Sequence, residues 1–131
     1  MTLIDQSLHT VLVNNAGVAA IVATRVYPLE LPQEPTLPAL VYFKISASRL
    51  VHHGATSKYC EANYQISCIA ATVLGAKTLA AAVVSAVHGY SGTVDSLRIF
   101  VCEVISESDL LQTAVEEYAV AIDVSLKHLE A

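Results

Sequence analysis

The chain of 131 residues has no tryptophan, only two phenylalanines and few charges, since 15% of its residues are charged and 54% are hydrophobic. This composition excludes an intrinsically disordered chain, which would lack the apolar surface needed for a core. The seven Lys and Arg residues are outnumbered by twelve Asp and Glu residues and form no basic run. We therefore expect no sequence-specific binding to nucleic acid. The length fits a single domain, 1–131.

Long apolar segments are also scarce. The stretch Ile69 to His88 is the one candidate for a membrane span, and Lys77 lies near its centre. This lysine costs roughly 3 kcal/mol of insertion free energy, about as much as the Leu, Ile and Val residues around it supply. The N-terminus, Met1 to Asp5, has neither the basic region nor the apolar region of a secretory signal. We expect a protein that is made in the cytoplasm and does not enter a membrane.

The three cysteines, Cys60, Cys68 and Cys102, are odd in number and form no Cys-x-x-Cys pair. Cys60 and Cys68 fall on one predicted strand about 26 Å apart, which is too far for a disulfide, so we expect buried free thiols. The most metal-like cluster is His52, His53 and Cys60. Adjacent strand residues point to opposite faces, however, and no fourth ligand lies at zinc-finger spacing. We expect no metal and no cofactor.

Catalytic motifs are missing as well. The chain contains no G-x-S-x-G, P-loop, G-x-G-x-x-G or H-E-x-x-H pattern. The carboxylate pairs Glu116-Glu117 and Glu107-x-Asp109 lack the apolar surroundings that acid–base catalysis by paired carboxylates requires. These residues are typical of solvated strand ends and loops. The sequence therefore predicts a protein that is not an enzyme.

Helical and strand patterns are present in a regular order. Apolar residues recur at helical spacing from Leu3 to Leu12, and Thr72 is placed to cap a second long helix. The order predicts an α+β fold with a mostly antiparallel four-stranded sheet and helices packed on one face. The predicted elements are a helix ending near Asn14-Asn15, a helical turn at Val18–Ala23, an extended loop at Leu29–Pro38, strands at Ala39–Ala47 and Lys58–Ala70, a helix at Val73–His88, a turn at Gly89–Gly92, a strand at Leu97–Ile105, a polar loop at Ser106–Asp109 and a strand at Glu116–Lys127.

Period-2 alternation assigns an inward and an outward face to each predicted strand. In the first strand, Val41, Phe43 and Ile45 are expected to face the core. Tyr42 and Lys44 are expected to face outward. The residues expected to face the core in the other strands are Cys60, Ala62, Tyr64, Ile66, Cys68, Tyr118, Val120, Ile122, Val124 and Leu126.

The order of several motifs resembles a known family. Arg25-Val26-Tyr27-Pro28-Leu29 is followed by Pro32-Gln33, by Leu37-Pro38-Ala39-Leu40-Val41-Tyr42 and, after the Ala-rich helix, by Gly89-Tyr90-Ser91-Gly92-Thr93-Val94. This order covers nearly the whole chain. It resembles the tail-completion or tail-terminator proteins of long-tailed bacteriophages and gene-transfer particles, also called head–tail joining proteins. The stretch from Ser106 to Val115 carries no distinctive motif of that family.

The resemblance implies a structural virion protein of the tail. It implies a subunit that closes into a ring, typically a hexamer, which caps the completed tail tube at the head-proximal end and joins it to the head. The implied partners are further copies of the chain, the tail tube protein and head or neck connector proteins. A closed ring requires a heterologous interface, in which one surface patch meets a different patch on the neighbour.

The expected subunit interface combines outward strand residues, the tip of the hairpin between the first two strands and the Pro-rich arm at Leu29–Pro38. Such segments pair with other subunits more often than they catalyse reactions. Two alternatives stay open, namely a neck or head-completion subunit and a small α+β ligand-binding module. The candidate interface residues are Pro32, Gln33, Tyr42, Lys44, Leu50, His52, His53, Glu61, Asn63 and Gln65.

Overall fold

The computed structural model describes residues 4–29, 36–52, 55–94, 97–114 and 117–129. Three helices and six strands lie in these ranges, which confirms the α+β class. In chain order the elements are α1 (Ile4–Asn14), α2 (Ala16–Val22), β1 (Val26–Pro28), β2 (Ala39–His52), β3 (Ala55–Ala70), α3 (Val73–Val87), β4 (Gly92–Val94), β5 (Leu97–Ala114) and β6 (Glu117–Leu129).

The six strands form one mixed sheet in the order β1-β2-β3-β6-β5-β4. β1 runs parallel to β2, and every other neighbouring pair is antiparallel. The prediction of four strands is wrong, because β1 and β4 extend the two edges of the four long strands. Each of these two strands has only three residues, too few to show an alternating pattern. Pro28 ends β1 at an edge of the sheet, where the missing N–H of proline is tolerated.

All four long strands differ in length from the prediction, since β2 continues to His52, β3 begins at Ala55 and β6 ends at Leu129. The polar loop expected at Ser106–Asp109 is wrong, because β5 continues through these residues to Ala114. Ser106 pairs with Asp123 and Asp109 pairs with Val120 of β6. The side chains from Ser106 to Asp109 are exposed, so their polar groups lose little hydration in the strand. An exposed strand segment can therefore contain the polar residues that are typical of a loop, and the sequence does not distinguish the two.

The helices begin and end at capping residues that the sequence supplies. The Oδ1 atom of Asn15 accepts a hydrogen bond from the N–H of Val18 at the start of α2, at 3.1 Å. As predicted, Thr72 caps α3, and its hydroxyl accepts from the N–H of Gly75 at 3.0 Å. Gly89 follows α3 with a φ of 79°, a left-handed conformation that favours glycine after a helix.

The core lies between the helices and one face of the sheet. α3 packs on β3, β5 and β6, and α1 and α2 contact α3. The inward residues predicted for β3 and β6 are confirmed, because they are buried or packed against the core. Alternate apolar residues therefore meet the helices, as period-2 alternation requires. The largest fully buried side chains include Leu8, Leu12, Leu40, Tyr64, Ile66, Leu79, Leu97, Ile99, Ile122 and Leu126.

The faces predicted for β2 are wrong. Leu40 and Tyr42 lie in the core cluster, and Tyr42 is only 5% exposed. Ile45, which was expected to point inward, is 52% exposed. The residues from Ala39 to Phe43 are all apolar, so both faces of this segment look alike in the sequence. Ile45 lies at a register shift between Lys44 and Ser46, which interrupts the alternation. Tyrosine has a large apolar ring that packs in a core when its hydroxyl finds a partner.

All three cysteines are buried and free, which confirms the prediction for the thiols. Burial, with a smaller effect from the charge of Glu107, raises the pKa of Cys68 to about 12. Burial, with a smaller effect from Glu103, raises the pKa of Cys102 to about 12 as well. Both side chains are therefore neutral thiols near pH 7, which are poor nucleophiles. None of the described helices has the length and apolar character needed to cross a membrane.

Candidate subunit interface

Among the described residues, the outer edge of β2 is covered only at its beginning. β1 pairs with Leu40 to Tyr42, and the N–H of Leu29 donates to the carbonyl of Tyr42 at 2.9 Å. From Phe43 to His52, β3 is the only described strand beside β2. The backbone of a strand with one neighbour can pair with a further strand. This stretch of β2 is called the β2 edge below.

In the described part of the chain, the outer edge of β5 is likewise covered only at its beginning. β4 pairs with Leu97 to Ile99. The carbonyl of Cys102 then accepts from the N–H of Gly89 at 2.7 Å, and the N–H of Cys102 donates to the carbonyl of Tyr90 at 2.9 Å. The N–H of Val104 donates to a ring nitrogen of His88 at 3.1 Å. From residue 105 to 114, a stretch called the β5 edge below, β6 is the only described neighbouring strand.

Large apolar side chains are exposed on both edges. Ile45 on the β2 edge is 52% exposed, and on the β5 edge Ile105 is 61% and Leu110 is 43% exposed. Isolated exposed apolar residues are common on proteins. These three residues lie on backbone that can also accept a further strand, so covering them would bury apolar surface and satisfy peptide groups together.

The two edges carry charges of opposite sign. The β2 edge has Lys44 and Arg49, and both are exposed. The β5 edge has Glu107 and Asp109, which are also exposed. Asp109 forms an ion pair with Lys77 of α3 across 2.5 Å. This ion pair is open to solvent, and such pairs are weak.

Lys44, a predicted interface residue, lies at the surface on the helix side of the sheet. It is opposite Tyr64 in the ladder between β2 and β3. Its Nζ atom is 5.9 Å from the centroid of the Tyr64 ring, within reach of a cation–π interaction. The ammonium group thus lies over the rim of the core.

Glu61, Asn63 and Gln65 lie on the sheet face opposite the helices and are partly exposed. Oε1 of Glu61 accepts a hydrogen bond from the hydroxyl of Ser125 at 3.0 Å. Nδ2 of Asn63 donates to the hydroxyl oxygen of Ser46 at 3.1 Å. The outward direction predicted for these three side chains is confirmed, and their role in an interface stays a prediction.

Tyr42 does not belong to this surface, and its prediction as an outward residue is wrong. Its ring centroid is 6.0 Å from that of His9 in α1, and its hydroxyl lies 3.4 Å from Nδ1 of His9. Burial, followed by the nearby charge of Asp5, raises the pKa of Tyr42 above its ordinary value. Tyr42 therefore packs α1 against β2.

The remaining predicted interface residues are those of the hairpin tip and the arm. Leu50 and His52 belong to the far end of β2, where the structure describes the backbone only. Pro32, Gln33 and His53 lie outside the described residues. The described part of the chain contains no group of three or more His, Cys, Asp or Glu side chains that could hold a metal ion.

A ligand-binding module would need a suitable cavity. A groove of about 440 Å³ lies beside α1, the end of α3 and β4. None of its lining residues is acidic, basic, histidine or cysteine, so the groove offers no charged side chain to a ligand. The residues lining it are Thr10, Val11, Asn14, Asn15, Ala86, Tyr90, Thr93 and Val94.

Comparison with known proteins gives one family and one shared fold. The family described as "Tail completion protein gp17" matches residues 6–127. A chain in the solved structure "Virion of native gene transfer agent (GTA) particle" superposes with a TM-score of 0.78 and 18% sequence identity. The match covers 94% of this chain and 92% of that chain, and it shows a common fold. The comparison with curated proteins gives no match.

Proposed function

Because the chain belongs to the tail completion protein family, whose model matches residues 6–127, we propose that it caps a finished tail tube as a ring and joins the tail to the head. The family match carries this proposal, since it spans nearly every element of the fold. The fold shared with a chain of a gene transfer agent virion supports a structural role in a virion. The proposed ring is a hexamer, and the proposed subunit is one non-enzymatic domain, 1–131.

The surface of the chain fits a subunit that works in an assembly. Two open strand edges and the exposed Ile45, Ile105 and Leu110 are features that a monomeric protein usually avoids. In a ring, every copy meets one neighbour through each of two different patches, so both edges can be covered. The proposed further partners are the tail tube protein and the head or neck connector proteins. The proposed site is the head-proximal end of the tail, reached after synthesis in the host cytoplasm.

Contacts between these proteins are proposed for the hairpin tip, the arm, the polar sheet face and Lys44 of the β2 edge. Tyr42 is excluded because it is buried. The tip joins the long strands β2 and β3, and the polar face offers hydrogen-bonding groups to another protein. The proposed contact residues are Pro32, Gln33, Lys44, Leu50, His52, His53, Glu61, Asn63 and Gln65.

Deletion of the gene in a particle-producing strain tests this function. Without the protein, we expect tails of aberrant length that do not join filled heads, as seen by electron microscopy, together with a loss of infectivity or gene transfer. A plasmid carrying the intact gene should restore both. Normal tails and normal transfer in the deletion strain would contradict the proposal. Tails of regular length that stay detached from heads would favour a neck subunit instead.

A further inference from the structure

The charges of the two open edges lie on the same side of the sheet. Lys44 is opposite Tyr64, and Arg49 is opposite Cys60. Both partners have inward side chains, so the two basic residues are on the helix side. Glu107 is opposite Ile122 and Asp109 is opposite Val120, and these partners belong to the core as well. The acidic residues of the β5 edge therefore share the helix side with the basic residues of the β2 edge.

The strand directions also agree. β2 is antiparallel to β3, β3 to β6, and β6 to β5, so β2 and β5 run in opposite directions within one subunit. A second copy placed beside the first in a similar orientation presents its β5 edge antiparallel to the β2 edge. This is the pairing that continues an antiparallel sheet.

We propose that the β2 edge of one copy pairs with the β5 edge of the next, so that the sheet continues from subunit to subunit around the ring. This inference rests on the proposed ring and specifies its interface. Lys44 and Arg49 then face Glu107 and Asp109 of the neighbour. Cross-strand pairs of opposite charge stabilise a sheet, and pairs of like charge destabilise it.

The same charges disfavour the symmetrical alternatives. Two β2 edges would place basic residues beside basic residues, and two β5 edges would place acidic residues beside acidic residues. A two-fold dimer through either edge is therefore disfavoured. The favoured contact is heterologous, and a heterologous contact forms a ring when its rotation closes.

The position of the edges along the strands fits a closed arrangement. Ser46 of the β2 edge pairs with Asn63, Asn63 pairs with Ser125, and Ser125 pairs with Glu103. Ser46 is therefore at the same height in the sheet as Glu103, which precedes the β5 edge. The two edges are therefore offset along the strands. A neighbour must be displaced along the strand direction before its β5 edge lies beside the β2 edge. A shift at every contact tilts the strands, and tilted, staggered strands are what allows a sheet to close on itself.

Charge reversal with mutual rescue tests the pairing. One variant carries Lys44→Glu and Arg49→Glu, and a second carries Glu107→Lys and Asp109→Lys. Each is expressed in the deletion strain, where we expect at least about tenfold fewer complete particles than with the unchanged protein, because each places like charges across the contact. Co-expression of both variants should restore particles, since alternating copies match charges at every contact. A control variant with Arg98→Glu and Lys127→Glu changes the net charge by the same amount as the first variant, at positions away from both edges.

The outcomes separate the interface from the function. If the unchanged protein restores particles and both variants do so equally well, the edge pairing is wrong and the proposed function stands. If deletion itself has no effect, the proposed function is wrong. Loss in both variants without rescue by co-expression would also contradict the pairing, provided that their melting temperatures equal that of the unchanged protein.

A cross-linking measurement covers the case of a variant that does not fold. Ser48 and Ser108 are exposed on the sheet face opposite the helices. A chain with Ser48→Cys and Ser108→Cys, treated with a short bifunctional maleimide in assembled tails, should give a ladder of linked subunits on a denaturing gel. Each single substitution should give monomers and no ladder. Monomers alone from the double variant in intact tails would contradict the pairing.

Discussion

The hydroxyl of Tyr64, in the middle of β3, donates a hydrogen bond to Oδ1 of Asp5 in the first turn of α1. Tyr64 is fully buried. Burial, followed by this hydrogen bond and the charge of Asp5, raises the pKa of Tyr64 far above its ordinary value. The contact therefore keeps the tyrosine neutral as a donor and fixes the first helix on the centre of the sheet.

Removal of this donor should destabilise the fold. Tyr64→Phe is expected to lower the free energy of unfolding by about 1.5–3 kcal/mol, because the lost hydrogen bond has a charged acceptor. Tyr42→Phe is the matched control, since its hydroxyl is 3.4 Å from His9 and should contribute about 1 kcal/mol or less. Urea unfolding followed by circular dichroism measures both values. Equal losses would contradict the importance of Asp5 as acceptor.

Two leucines of α3 should respond very differently to truncation. Leu79 is fully buried, and Leu74 is 75% exposed. Leu79→Ala is expected to cost about 2–5 kcal/mol through lost burial and the cavity left behind. Leu74→Ala should stay within about 0.5 kcal/mol of the unchanged protein. A small effect at Leu79 in thermal or urea unfolding would show that α3 does not pack on the sheet as described.

Stability should fall at alkaline pH. Folding raises the pKa of Cys68 and Cys102 from the ordinary 9.0 to about 12. The neutral thiols therefore favour the folded state fully below about pH 9, and this contribution is lost as the pH rises towards 12. The unfolding free energy, measured at intervals above pH 9, should decrease. A Cys68→Ala, Cys102→Ala variant should show a shallower decrease, and an equal slope would contradict the assignment.

Access to the thiols should depend on unfolding. Because Cys60, Cys68 and Cys102 are buried, iodoacetamide at neutral pH should modify almost none of them in the folded protein. In denaturant without reductant, intact-mass measurement should show three modifications per chain. Only one modification would reveal a disulfide, and rapid reaction of the folded protein would contradict the burial.

The hairpin tip offers a separate test of assembly. Replacing Leu50-Val51-His52-His53 by Gly and Ser residues should leave the melting temperature nearly unchanged and reduce assembly onto tails. Leu74→Ser, which removes an exposed apolar side chain elsewhere, should leave assembly unchanged. Particle yield in the deletion strain measures both. Normal yield with the replaced tip would show that the tip makes no essential contact.

The sequence was most informative where one strand face is apolar and the other polar. Tyr64 and Ile66 alternate with Asn63 and Gln65, so the inward face of β3 is predicted correctly. In β2 the apolar run from Ala39 to Phe43 hides the alternation, and Tyr42 is assigned to the wrong side. A period of two can be detected only when the two faces differ in polarity.

The edges of the sheet were the least predictable part. Val26–Pro28 and Gly92–Val94 are short strands whose pairing depends on distant residues, which local patterns do not show. Ser106 to Asp109 are exposed in an edge strand, so their polarity resembles that of a loop. The charged edge residues Glu107 and Asp109 were therefore missed as interface candidates. The signal in the sequence that could have identified them is that their charge is opposite to that of Lys44 and Arg49.

The centre of the sheet joins a strand from the middle of the chain to the last strand. β3 pairs with β6 without a break, from Tyr59 with Leu129 to Ala70 with Tyr118. During synthesis, the hairpin of β2 and β3 can form early, whereas this central ladder must wait until β6 has left the ribosome. Contacts between distant residues also slow folding. A chain in which this ladder has not yet formed thus cannot present both edges on one sheet.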